Sequence, residues 1–149
     1  MEPPKQGWVK LNTDGSFAES DGAGAGMILR DSAGAIIFSA CRTLFSCRDA
    51  LEAELGACME GLSFAIQRSD QPIEVELDSS NAVSMISCEE TDRSVYAPLV
   101  GEIKHLLSLR KFCITHVPRS QNKASDKLAS FARSEGRTIT WLDRARRKC

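Results

Sequence analysis

No apolar run in this chain approaches the ~20 residues that a helix needs to cross a bilayer, so the sequence offers no membrane-spanning helix. No Cys-x-x-Cys pair occurs, and only 2 histidines are present to complete a zinc site. A zinc site or a disulfide framework therefore stands as the alternative use of the cysteines, not the expected one. Residues 1–10 have no apolar core, so the start does not read as a secretory leader. Charge of one sign is also missing: 19 Lys and Arg stand against 20 Asp and Glu, for a net charge of −1. Such a chain does not attract nucleic acid globally, and any binding must come from a local patch. No internal repeat, no low-complexity tract and no obligate protein partner is evident. The 6 cysteines are expected to be reduced and mostly buried, in an intracellular protein of nucleus or cytoplasm.

What is present suffices for one domain. A chain of 149 residues buries roughly 70% of its unfolded surface without a disulfide or metal staple. Residues 1–7, with Pro3 and Pro4, read as a linker. Residues 8–136 read as the domain, and 137–149 as a basic tail containing Arg144, Arg146, Arg147 and Lys148.

Alternation predicts the strands. Val9, Leu11 and Thr13 face one way, and Lys10, Asn12 and Asp14 the other. Two further strands, 23–30 and 35–43, flank a turn at Asp31-Ser-Ala-Gly34, which makes an antiparallel meander. Over residues 48–68, Leu51, Leu55, Cys58, Met59, Leu62 and Ile66 form the apolar stripe of a helix. Ile73, Val75 and Leu77 alternate with Glu74, Glu76 and Asp78, a strand that ends in an acid. A short helix to Ile86, a helix over 97–109, a strand over 112–117 and a helix over 122–133 follow. The order βββαβααβα implies a mixed α/β sheet flanked by helices.

Four acids stand where strands and helices could aim them at one point: Asp14, Glu54, Asp78 and Asp126. Singly, each has an ordinary explanation as a turn, a solvated flank, a cap or a helix N-terminal charge. Periodicity does not choose between Glu52 and Glu54, since both flank the apolar stripe.

Taken in order, the motifs Thr13-Asp14-Gly15-Ser16, Ala53-Glu54-Leu55, Leu77-Asp78-Ser79 and Asn122…Asp126-Lys-Leu128-Ala129 resemble the ribonuclease H family over residues 8–134. The opening from Trp8 to Ser16, and His116-Val-Pro-Arg119, resemble the plant branch found with retroelement reverse transcriptases. The resemblance implies a ribonuclease-H-like fold, a five-stranded sheet of order 3-2-1-4-5 flanked by helices. It implies an endonuclease that hydrolyses the RNA strand of an RNA–DNA hybrid with two Mg2+ ions, Mn2+ substituting. It assigns Asp14, Glu54, Asp78 and Asp126 as catalytic metal ligands, and so chooses Glu54 over Glu52. Asp14 would bridge both ions, Glu54 and Asp78 would serve the leaving-group side, and Asp126 the nucleophile side. Gly15, Ser16, Asn81, Arg119, Asn122, Lys123 and Lys127 are expected to meet nucleic acid. The alternative is a retroelement remnant that keeps the fold and binds nucleic acid with little or no turnover.

The pattern also departs from the family. The loop Pro118-Arg-Ser-Gln-Asn122 is short and lacks the mobile histidine of some members, and His116 is expected on a strand. The basic handle helix is absent. Ala50-Leu51-Glu52 replaces the asparagine pair that often precedes the glutamate. A weaker grip on substrate is therefore expected.

Overall fold

The computed structural model describes residues 2–142. Its strands are β1 (Val9–Ala18), β2 (Gly22–Arg30), β3 (Ile36–Leu44), β4 (Ile73–Leu77), β5 (Phe112–His116) and β6 (Ile139–Leu142). Its α-helices are α1 (Ala50–Arg68), α2 (Ser80–Ser87), α3 (Ala97–Ser108) and α4 (Lys123–Glu135). One mixed sheet runs β5-β4-β1-β2-β3-β6. β1, β2 and β3 form the expected antiparallel meander, while β4 and β5 run parallel to β1. The order 3-2-1-4-5 is thus present.

The alternation along β1 decides what covers each face. Val9 and Leu11 are fully buried on the α1 side, and a Cβ on Gly61 of α1 would lie 2.5 Å from Thr13 Cγ2. Leu11, Met27, Leu29, Phe38, Leu55, Leu62, Val75, Leu77 and Ile103 are buried in the core cluster. Each contributes about 1.5–3 kcal/mol, more than any surface ion pair. On the opposite face α4 lies against β2, β1 and β3. It comes close because β2 carries glycine there. A Cβ on Gly24 would meet Ala129 O at 2.3 Å, and one on Gly26 would meet Ser125 O at 2.0 Å.

The sheet has six strands rather than five. Past Gly136, whose φ of 62° ends α4, the chain turns back along β3 and pairs with it antiparallel, Cys41 opposite Ile139 and Phe38 opposite Leu142. Thr43 N donates to Thr138 Oγ1 at 3.0 Å and leads the strand in. The basic residues Arg144–Lys148 lie outside the described residues.

The expectation of mostly buried cysteines holds for Cys41 and Cys58. Cys47 and Cys113 are half-buried and Cys88 is exposed, all five being unpaired. No helix among the described residues is long and apolar enough to cross a membrane.

Candidate active site

Parallel pairing sets Asn12 opposite Glu76, and continuing that register by two residues brings Asp14 alongside Asp78. Glu54 reaches the same point from α1. Carboxylate oxygens of Asp14, Glu54 and Asp78 lie within 4.8 Å of one another. Asp126, in the first turn of α4, lines the same cleft and pairs with Arg119 at 3.6 Å.

The cluster is electrostatically frustrated. Burial, then the hydrogen bond and charge of Glu54, then the charge of Asp78, hold the Asp14 carboxyl far above the usual carboxylate range. Burial and the charge of Asp78 also raise Glu54, opposed by the hydrogen bond from Asp14 and the Gly15 backbone N–H. Without a cation the pair therefore keeps a proton that an isolated carboxylate would lose.

The donor set suits a hard cation. All the donors are carboxylate oxygens, and Glu54 Oε2 is buried with no hydrogen-bond partner. Such a set favours Mg2+ or Mn2+ over thiolate- and imidazole-seeking metals.

Local sequence explains how Glu54 arrives here. Asp49 caps α1 by accepting from Glu52 N at 2.8 Å, and Glu52 pairs back to Arg48 at 3.6 Å. Glu52 therefore belongs to the helix start, while Glu54 turns into the sheet. Gly15 permits the approach: a Cβ there would sit 2.3 Å from Ala53 C and O and 2.5 Å from Glu54 N. These are backbone atoms and cannot swing aside. Gly15→Ala is expected to cost at least about 1–3 kcal/mol of stability and to push Glu54 away from Asp14. Thermal denaturation and a cleavage assay on the same sample test this, and an unchanged melting temperature would contradict the packing.

Gly15, Ser16, Asn81 and Arg119 line one cleft of about 690 Å³ with the four acids. Lys123 and Lys127 are exposed on α4 and do not line it. Asn122 requires a correction, because it is fully buried and cannot touch substrate. Its Nδ2 donates to Thr13 O at 2.9 Å, and its Oδ1 accepts from Asn12 Nδ2 at 3.2 Å. Its backbone carbonyl accepts from Asp126 N at 3.0 Å. Asn122 thus ties the strand bearing Asp14 to the helix bearing Asp126. His116 is exposed at the end of β5, as a strand residue, and its Nε2 donates to the Asp78 carbonyl at 3.1 Å.

Sequence reasoning missed Phe17, Ser130 and Arg133, which also line the cleft. The signal was available for two of them: Ser130 and Arg133 follow Asp126 at i+4 and i+7, on the same helix face.

A 3-2-1-4-5 sheet with acids gathered from β1, α1, the end of β4 and the last helix defines a protein of the ribonuclease H fold. The chain belongs to the reverse transcriptase-like family, whose model matches residues 12–132. It is 35% identical over 131 residues to an Arabidopsis thaliana protein named "Putative ribonuclease H protein". That match covers 87% of this chain, but the chain spans only 21% of that relative. RNase H1 of Halobacterium salinarum superposes with a TM-score of 0.77 at 26% identity, over 85% of this chain and 97% of that one. The LC11-RNase H1 structure in complex with an RNA/DNA hybrid superposes with a TM-score of 0.68 at 21% identity, over 86% of this chain and 98% of that one.

Proposed function

We propose that this chain is an endonuclease that hydrolyses the RNA strand of RNA–DNA hybrids with two divalent cations, inside the cell. The observation that carries the reading is the cluster of Asp14, Glu54 and Asp78 within 4.8 Å. Burying like charges so closely is costly and serves no packing purpose, whereas a cation converts it into attraction. Asp14, Glu54, Asp78 and Asp126 would hold Mg2+, which when bound activates water and steadies the leaving oxygen of a phosphodiester. The residues supply the rest. Gly15 lets β1 and α1 meet, Asn122 fixes Asp14 relative to Asp126, and the His116 bond steadies the Asp78 backbone. Arg119, paired with Asp126 at the cleft mouth, is placed to meet a backbone phosphate.

Cutting is expected on an RNA–DNA hybrid with Mg2+ or Mn2+, and not on a DNA duplex, because the 2′-hydroxyl distinguishes the strands. A gel assay on end-labelled duplexes tests it. Equal cutting of DNA duplex would overturn the substrate assignment. Hybrid binding without cutting would identify a non-catalytic nucleic-acid-binding domain instead.

A further inference from the structure

Two rows of side chains run side by side along the cleft, and only one end of them is acidic. On β1, Asp14 and Ser16 point to the same face, two residues apart. On α4, Asp126, Ser130 and Arg133 share a face, and Arg133 stands two turns, about 10 Å, beyond Asp126 along the axis. All five line the same cleft. Asp14 therefore has Asp126 as its neighbour, and Ser16 has Arg133: Arg133 Nε donates to Ser16 Oγ at 2.8 Å.

The Arg133 guanidinium is held in place before any ligand arrives. Its Nη1 pairs at 3.0 Å with Asp21, in the turn between β1 and β2. Its side chain is only 21% exposed, so the charge is partly desolvated, while Asp21 is 53% exposed and can turn to solvent. The backbone beneath packs closely on β2 too, because a Cβ on Gly24 would lie 2.6 Å from Arg133 N. A planar fork of donors, pre-ordered and only part-neutralised, matches a phosphate oxygen pair. The acids repel phosphate unless a cation intervenes, so an anionic strand in this cleft needs a direct cationic contact at the opposite end.

We propose that Arg133, with Ser16 and Ser130, forms a phosphodiester-binding subsite that holds a backbone phosphate next to the one being cut. The subsite rests on the nuclease reading above. Asp21 keeps the guanidinium aligned and lowers its charge, so it moderates the grip.

A structural staple between α4 and the β1–β2 turn would look the same in a static view, and salt dependence separates the two. Binding of a labelled RNA–DNA hybrid is measured across salt with Ca2+ in place of Mg2+, for wild type, Arg133→Gln, Arg133→Lys and Asp21→Asn. Arg133→Gln is expected to weaken binding about tenfold and to reduce the slope of log K against log salt by about one unit. Arg133→Lys should retain the slope, and Asp21→Asn should bind more tightly than wild type. If Arg133→Gln lowers the melting temperature but leaves the slope at the wild-type value, Arg133 is only a staple and the subsite is overturned. If wild type neither binds nor cuts the hybrid, the nuclease reading fails and takes the subsite with it.

Discussion

Asp14→Asn should abolish hybrid cleavage, by more than about a hundredfold, while making the metal-free protein more stable. Both effects come from one carboxylate. Asp14 is 3% exposed, within ligand distance of Glu54 and Asp78, so its removal deprives a cation of a central donor. The same removal relieves the repulsion and burial that hold its carboxyl far above the usual range. The sign of the pH dependence follows. The folded protein binds a proton at Asp14 that the unfolded chain, with an ordinary value near 3.9, releases. This group's stabilising contribution is full below about pH 4 and is lost as the pH rises toward the folded value. The loss proceeds at up to about 1.4 kcal/mol per pH unit. In EDTA, the wild-type melting temperature should therefore fall between about pH 5 and pH 8, and Asp14→Asn should flatten the fall. Mg2+ should raise the wild-type value, because it binds the folded form alone. A wild-type melting temperature that climbs over that range would mean the cluster is not frustrated. Wild-type cleavage rates in purified Asp14→Asn would remove it from the active site.

Glu54→Gln should likewise lose orders of magnitude in rate, and Glu52→Gln almost none. The two stand two residues apart on α1, roughly 200° around the helix, and so cannot face the same neighbour. Glu52 accepts from the Arg48 backbone N–H and pairs with its side chain, outside the acid cluster. Its amide can still accept a hydrogen bond, so the cost should stay below about 1 kcal/mol. Glu54 presents a buried, unpartnered Oε2 beside Asp14 and Asp78. Gln keeps one carbonyl oxygen there but removes the charge a divalent cation requires. Single-turnover cleavage with both variants, alongside melting curves, decides the matter. Loss of rate in Glu52→Gln with a wild-type rate in Glu54→Gln would reverse the assignment.

The sequence was most readable where a repeating pattern met a large burial term. The alternation of β1 and β4 and the stripe of α1 located those elements to within two residues, because slipping any of them would expose the core. The choice of Glu54 came from motif order, since both glutamates flank the stripe and only the three-dimensional approach at Gly15 separates them. β6 was hidden because four residues ahead of a basic run show no clear alternation. It forms by adding to the β3 edge, a long-range gain with no local signature. Asn122 was misread as a substrate contact because polar residues before a helix usually face water. Here its amide replaces backbone pairing between β1 and α4, and it is buried for that reason. Arg133 was overlooked because a lone arginine on a helix has an ordinary surface reading until Ser16 and Asp21 are seen beside it.

The seat that Gly24 and Gly26 make for α4 also dictates when the site comes into being. During synthesis, β1 to β3, α1, β4 and the residue that follows it emerge first, and with them Asp14, Glu54 and Asp78. The groove over β2 stays bare until α4 follows, and the Asn122–Thr13 bond that locks it spans 109 residues. A contact of such separation carries a large loop-closure cost, which the rest of the fold must offset. Three of the acids thus precede in the chain the helix that supplies the fourth, and the site is complete only with that last helix seated on β2.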